Sequence, residues 1–240
     1  MDLFTRKNAG LVILTRTLAW NALHSVAAAL GFGVASYREP GRESTMHTVR
    51  KLKRRRSINI TPLEAVQLVS LVRATAKLGG LMAEVGVYRG GSARLIREAD
   101  ASRPLHLFDT FEGLPEPAEI DTVVRWGRWF QEGQYACPLE EVKKYLRDCK
   151  NVHFHQGLFP ATGGAIKDER FSFVHSDVDL YSSTHAVLEF FYPRLLPGGI
   201  IVSHDFATGR GPRQAFDEMF MDLPEPVIEL PGDQAMVVKL

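Results

Sequence analysis

From about residue 60 onward, apolar runs of strand length alternate with segments of helical period. LMAEVGVY, PLHLFDTF, NVHFHQG, FSFVHSDVDLY and GGIIVSHDF read as strands, and SARLIREAD, LEEVKKYLRDC and STHAVLEFFYPRLL read as helices. That alternation predicts an α/β fold, a mostly parallel sheet with helices on both faces. Ahead of the first strand, ITPLEAVQLVSLVRATAKLGG predicts a helix with Thr61 as N-cap, Pro62 in the first turn and Glu64 closing a capping box. Gly79-Gly80 ends it. At the other end, PVIELPGDQAMVVKL carries two apolar runs around Pro231-Gly232-Asp233, the pattern of a hairpin on the sheet edge.

The N-terminal stretch from Ala9 to Ala35 is apolar but interrupted by Arg16, Asn21 and His24, whereas a spanning helix needs about 20 predominantly apolar residues. Thr17, Asn21 and His24 form a narrow polar stripe opposite Leu11, Leu14, Leu18, Ala22 and Val26, so the expectation is a weakly amphipathic helix. Its use stays open between packing on the domain or a partner subunit and lying in a membrane interface. The second is helped by the basic run RKLKRRR, Arg50 to Arg56, because anionic lipid attracts such clusters. A signal peptide is the third option, opposed by Arg16 in its apolar region. The segment SYREPGRESTMHTVRK is a candidate lid. These patterns predict an extension over residues 1–57 and one catalytic-type domain over 58–240.

Composition adds mainly exclusions. A net charge of +1 over 240 residues offers no global argument for nucleic acid, and 45% hydrophobic residues suffice for a sizeable core. Cys137 and Cys149 are too far apart for a CxxC motif, and no Cys/His array has zinc-site spacing. A reduced, cytoplasmic protein, peripherally membrane-associated if the N-terminal helix binds lipid, is the expectation.

Ligands of open parallel sheets sit beyond the carboxyl ends of the strands. Glu84, Asp109, the Gln156-Gly157 pair, Asp177 and Asp205 all fall there and are expected on one rim. AEVGVYRGGSARLI carries ExGxxxGGS and not GxGxxG, which argues against a nicotinamide-dependent oxidoreductase. Gly86 would let a ligand approach the backbone, and Gly90-Gly91-Ser92 would open a helix. Glu84 would repel a phosphate and suits an amine. Asp109 suits ribose hydroxyls, or else caps a helix. Glu84 and Asp109 together point to a nucleoside with an amino-acid tail, S-adenosylmethionine.

AEVGVYRGGSA, FDTFEGLPEP, DVDLYSST, FYPRLLPGGIIVSHDF and GPRQAFDEMF together resemble the macrocin O-methyltransferase family over about Thr61 to Leu240. The resemblance implies a Rossmann-like class I methyltransferase sheet of seven strands, the last antiparallel. It implies methylation of sugar hydroxyls with S-adenosylmethionine and a divalent metal. It assigns Glu84, Gly86 and Ser92 to the methionine moiety, with Gly91 beside them in the expected cofactor set, Asp109 to the ribose and Gly157, beside Gln156, to the adenine pocket. Tyr88 and Ser176 complete the expected cofactor set, although a core role for Tyr88 stays open.

Asp177 and Asp205, brought together by neighbouring strands, suit an octahedral Mg²⁺ with two substrate hydroxyl oxygens. A carboxylate there could also take the departing proton, Asp177 first and Asp179 second. One departure stands out. The family carries two adjacent acids where this chain has His204-Asp205. Three roles stay open for His204: metal ligand, general base and structural histidine. As a ligand, imidazole would shift preference toward Mn²⁺, Fe²⁺ or Zn²⁺. His155, His175 and His185 read as ordinary, and Arg210 and Arg213 could contact substrate from a loop or, as helix-start arginines usually do, lie on the surface. The acceptor is expected to be a glycosylated small molecule or glycolipid, with self-association of the chain a family tendency. The rival reading is a non-catalytic S-adenosylmethionine-binding scaffold or partner subunit.

Overall fold

The computed structural model describes residues 17–30, 33–34, 36, 42–54, 59–122 and 130–240. The chain divides into two compact units, Met1–Glu43 and Ser44–Leu240.

In the first unit residues 17–29 are helical (α1), and Leu18, Trp20, Leu23, Val26 and Leu30 are exposed. The remainder of the predicted amphipathic helix lies outside the described residues, as does most of the candidate lid ahead of Arg42. No helix among the described residues is long and apolar enough to cross a membrane.

A second helix, α2 (Arg42–Arg54), buries Thr45, Met46, Val49 and Leu52 and exposes Arg50, Lys51, Lys53 and Arg54. Arg55 and Arg56 of the basic run lie outside the described residues. Val49 and Leu52 join the core beside Ile60, Leu68 and Val72, so this helix packs with the catalytic-type domain although it precedes the expected boundary at 57/58. The charge-rich run conceals an amphipathic helix, in which three buried apolar residues anchor a basic outer face.

Next come α3 (Pro62–Thr75), β1 (Leu81–Val85), α4 (Gly91–Ala99), β2 (Leu105–Asp109) and α5 (Leu139–Tyr145). They are followed by β3 (Val152–Gln156), β4 (Phe171–Ser176), α6 (Tyr181–Phe191), β5 (Leu195–Ser203), α7 (Arg210–Phe220), β6 (Ile228–Glu229) and β7 (Ala235–Val238). The capping box predicted for α3 is formed in both directions, Glu64 N–H to Thr61 Oγ1 at 3.3 Å and Thr61 N–H to Glu64 Oε2 at 2.7 Å.

The seven strands run in the order β3-β2-β1-β4-β5-β7-β6. β1 to β5 pair parallel, and β7 is antiparallel to both of its neighbours, which makes β6-β7 the expected edge hairpin. Alternation, broken by a register shift between Phe171 and Phe173, sends Met82, Leu105, Leu107, Phe173, Ile200 and Val202 toward α3 and α4. Ala83, Val85, Phe108, Phe171, Val174 and Ile201 face the opposite core with Val187, Leu188, Phe191 and Phe216 of α6 and α7. Both faces are therefore dry, which is why the central strands read as almost continuous apolar runs.

Candidate active site

Register carries the strand ends to one rim. Val85 pairs with Phe108 and with Ser176, Ser176 with Ser203, and Asp109 with Gln156. Backbone bonds continue one residue further. Gly86 N–H donates to Phe108 O (2.9 Å), Asp177 N–H to Val85 O (2.9 Å), His204 N–H to Ser176 O (2.8 Å) and Gly157 N–H to Asp109 O (2.9 Å). The first residue beyond each of four strands is thus fixed by the sheet, and a cavity of about 740 Å³ opens above them.

Gly86, Tyr88, Asp109 and Gly157 line one part of that cavity, with Phe108, Leu158 and Phe159. Gly86 has φ +85°, and a Cβ there would lie 1.8 Å from Asp177 O. The close approach that demands glycine is made by the chain itself: the end of β4 crosses beside the loop and locks it to the acid-bearing segment. Asp109 does not cap a helix. Its Oδ2 accepts Val87 N–H (2.7 Å) and Tyr88 N–H (2.9 Å), and its Oδ1 accepts Phe111 N–H (2.7 Å), so it moulds the glycine loop from the neighbouring strand.

Five expected cofactor residues are not on the cavity wall. Gly91 and Ser92 are buried in the first turn of α4, and Gln156 is exposed on the edge strand. Ser176 is buried at the end of β4. Glu84 is fully buried, its Oε1 2.9 Å from His175 Nδ1, while Oε2 has no hydrogen-bond partner among the described residues. Burial raises the Glu84 pKa, and His175 offsets part of that rise. Strand side chains alternate between the two faces of the sheet, and most of the rim is formed by residues just beyond a strand, joined by Val85, Phe108 and Asp109 from the ends of β1 and β2. That is why Gly157 and Asp177 line the cavity while Gln156 and Ser176 do not.

The β4-β5 side of the cavity is acidic. Asp177, His204 and Asp205 offer ligand atoms within 4.8 Å of one another. His204 Nδ1 lies 3.3 Å from Asp177 Oδ1 and 3.5 Å from Asp205 Oδ2. Asp179 lines the same wall. Asp179 and Asp205 take left-handed φ values of 61° and 56°, and Tyr88 takes 47°. Such backbone costs on the order of 1 kcal/mol or more per residue, and its clustering here marks a shaped site.

The charges diverge. Burial raises the Asp177 pKa, but the facing His204 outweighs it and holds the carboxyl at about 2. Burial and then the Asp205 and Asp177 charges push Asp179 well above the carboxylate range. Burial would lower His204, yet Asp177 and Asp205 raise it well above its ordinary value.

Sequence reasoning missed Glu64 and Asp233 as parts of this site. Both line the cavity, and Glu64 Oε2 lies 3.5 Å from His204 Nε2. The capping box explained Glu64 fully and left no residual signal. Asp233, expected as a turn residue, accepts Ala207 N–H (2.7 Å), Thr208 N–H (2.8 Å) and the Thr208 hydroxyl. Of the two readings of Arg210 and Arg213, the structure favours the helix-start one over the loop. Arg210 and Arg213 lie in α7, and Arg213 is committed to Glu229 (2.9 Å) and to the face of Phe206.

Residues 44–234 match the family described as macrocin-O-methyltransferase (TylF). A tetracenomycin-C rhamnosyl 4'-O-methyltransferase of Streptomyces olivaceus is 35% identical over 68% of this chain and 64% of its own length. The demethyldecarbamoylnovobiocin O-methyltransferase of Streptomyces niveus is 28% identical over 58% of the chain and 57% of its own. The chain thus spans somewhat under two thirds of the curated relatives it matches. Among solved structures, the O-methyltransferase NovP superposes with a TM-score of 0.64 at 23% identity, covering 76% of this chain and 82% of that one. The calicheamicin methyltransferase CalS11 gives 0.62 at 20% identity over 85% and 94%. These two share the fold.

Proposed function

Because this chain belongs to the macrocin O-methyltransferase family, we propose that it transfers a methyl group from S-adenosylmethionine to a hydroxyl of a glycosylated small molecule. The observation that carries this reading is one cavity walled by a glycine loop and Asp109 on its β1-β2 side and by Asp177, His204 and Asp205 on its β4-β5 side. The site fits a nucleoside: Asp109 and Gly157 stand on its wall, whereas Glu84 is buried off that wall against His175. The cofactor supplies an electrophilic methyl carbon.

The acid side fits a divalent cation, with Asp177, His204 and Asp205 as ligands. Such an ion would lower the pKa of a substrate hydroxyl and help orient it. Asp179 is the better base: it stands beside that cluster, while Asp177 faces His204 and holds its proton weakly. In this mechanism Asp109 keeps the glycine loop in shape, the rim residues orient the two reactants, and Asp179 takes the hydroxyl proton as the oxygen attacks the methyl carbon and the carbon–sulfur bond breaks with S-adenosylhomocysteine as leaving group.

Isothermal titration with S-adenosylhomocysteine, followed by a methyl-transfer screen on rhamnosylated acceptors with and without divalent metal, tests the proposal. Binding and metal-dependent turnover are expected. Binding without turnover on any glycoside favours the scaffold reading, and absence of binding removes both. For lipid-linked acceptors, flotation with anionic liposomes tests whether α1 and the exposed Arg50, Lys51, Lys53 and Arg54 reach a membrane.

A further inference from the structure

We infer that Glu64 is a positioning residue that presents His204 to the cation through Nδ1, giving this site a mixed nitrogen and oxygen donor set. The inference rests on the metal-holding reading of Asp177, His204 and Asp205 and goes beyond it by assigning the ring orientation, the group that enforces it and the resulting metal preference.

The imidazole of His204 lies between two sets of carboxylates. Nδ1 faces Asp177 Oδ1 at 3.3 Å and Asp205 Oδ2 at 3.5 Å, whereas Nε2 faces Glu64 Oε2 at 3.5 Å. A neutral imidazole has one N–H and one lone pair, so the partner of one nitrogen decides what the other can do. Carboxylates thus face both nitrogens. A cation held by Asp177 and Asp205 would displace the Nδ1 proton, while the Glu64 carboxylate keeps the remaining proton on Nε2, so that the Nδ1 lone pair is directed at the place where Asp177 and Asp205 converge. Metal-bound histidines commonly have their second nitrogen oriented by a carboxylate in this way. The 3.5 Å approach is that of an ion pair, and the inference includes its tightening to an Nε2–H···Oε2 hydrogen bond when a cation is bound.

Glu64 is well placed to orient the ring because it is itself immobilised. Its Oε2 accepts Thr61 N–H at 2.7 Å and its Oε1 accepts Asp233 N–H at 2.9 Å. Asp233 in turn accepts the amides of Ala207 and Thr208, just beyond Asp205. The start of α3, the β6-β7 turn and the loop after β5 therefore form a closed circuit around His204. It has little slack: a Cβ on Gly232 would come within 2.7 Å of Glu64 Oε1.

A site with one imidazole and two carboxylates favours Co²⁺, Mn²⁺, Fe²⁺ or Zn²⁺ over Mg²⁺, which prefers oxygen.

The test is titration of the metal-free protein with Co²⁺ and with Mg²⁺, read by heat and by the Co²⁺ visible spectrum, on wild type, Glu64→Gln and His204→Asp. Wild type is expected to bind Co²⁺ more tightly than Mg²⁺. His204→Asp should lose the nitrogen contribution to the spectrum and narrow the gap. Glu64→Gln should weaken Co²⁺ binding by about 10- to 100-fold and alter the spectrum. Wild-type Co²⁺ affinity and spectrum in Glu64→Gln overturn the inference alone. No metal binding by wild type, with S-adenosylhomocysteine still bound, overturns the metal reading and this inference with it. Melting of the metal-free variants separates a lost ligand from a lost fold. If Glu64→Gln does not fold, histidine-labelled NMR of wild type loaded with Cd²⁺ decides: attachment at Nδ1 supports the inference, attachment at Nε2 overturns it.

Discussion

Asp177 and Asp179 leave the same strand end two positions apart, yet their protons behave in opposite ways. Burial raises both, His204 then pulls Asp177 down to about 2, and the neighbouring Asp205 and Asp177 charges push Asp179 higher still. A general base works only when deprotonated, so kcat should rise with pH as Asp179 loses its proton. A bound divalent cation favours the charged carboxylate and moves that rise to lower pH. The check is a pH profile of kcat at low and saturating metal: a limb that does not move with metal would remove Asp179 from the mechanism. Asp179→Asn should lower kcat by about 10²- to 10⁴-fold with S-adenosylhomocysteine affinity retained. The carboxylates were legible because each follows an apolar strand. Their ranking was not, because it depends on the left-handed backbone of Asp179 and Asp205 and on Glu64 arriving from α3.

Elements with a strong period or a capping signal were readable: α3 with its capping box, the five parallel strands and the terminal hairpin all stand where the pattern put them. α2 as a core element was not, because its apolar contacts are few and sit in a run of like charges. Leu52→Ala should accordingly cost about 2–5 kcal/mol, read as a lower urea midpoint, whereas Lys53→Ala should be nearly neutral. A second surprise is the β2-β3 edge, where His106 stacks between His153 and His155 and its Nδ1 lies 3.0 Å from His155 Nε2. Burial first, then the neighbouring histidines, hold the His106 pKa down to about 4, against an ordinary 6.5. Between those values the unfolded chain binds a proton that the native chain refuses. Stability is therefore full above about pH 6.5 and falls as pH drops toward 4. The loss should be about 1–2 kcal/mol, allowing for solvent screening. Urea melts at neutral and mildly acidic pH should show it, and His106→Phe should flatten the difference.

At the scale of the whole molecule, the cavity is assembled from most of the second unit. β1, β2, β3, β4 and β5 each deliver residues to its wall, α3 delivers Glu64, and the β6-β7 turn delivers Asp233. A ligand that binds only this assembled rim stabilises the native state by mass action, about 2.7 kcal/mol at a hundredfold excess over Kd. For a unit of this size that is a rise of roughly 5–10 °C in melting temperature. S-adenosylhomocysteine and a divalent ion occupy different sides of the cavity in the proposed arrangement, so their protection should be regionally distinct. Hydrogen exchange with S-adenosylhomocysteine should slow the Val87 and Tyr88 amides, which Asp109 holds on the glycine loop. Exchange with Co²⁺ should slow the Thr61, Ala207, Thr208 and Asp233 amides, which close the circuit around His204. If Co²⁺ protects the glycine loop and leaves that circuit untouched, the ion binds elsewhere and the division of the cavity proposed here is wrong. Protection of both regions by either ligand alone would instead mean that the two sides order together, with the Asp177 carbonyl against Gly86 as the physical link between them.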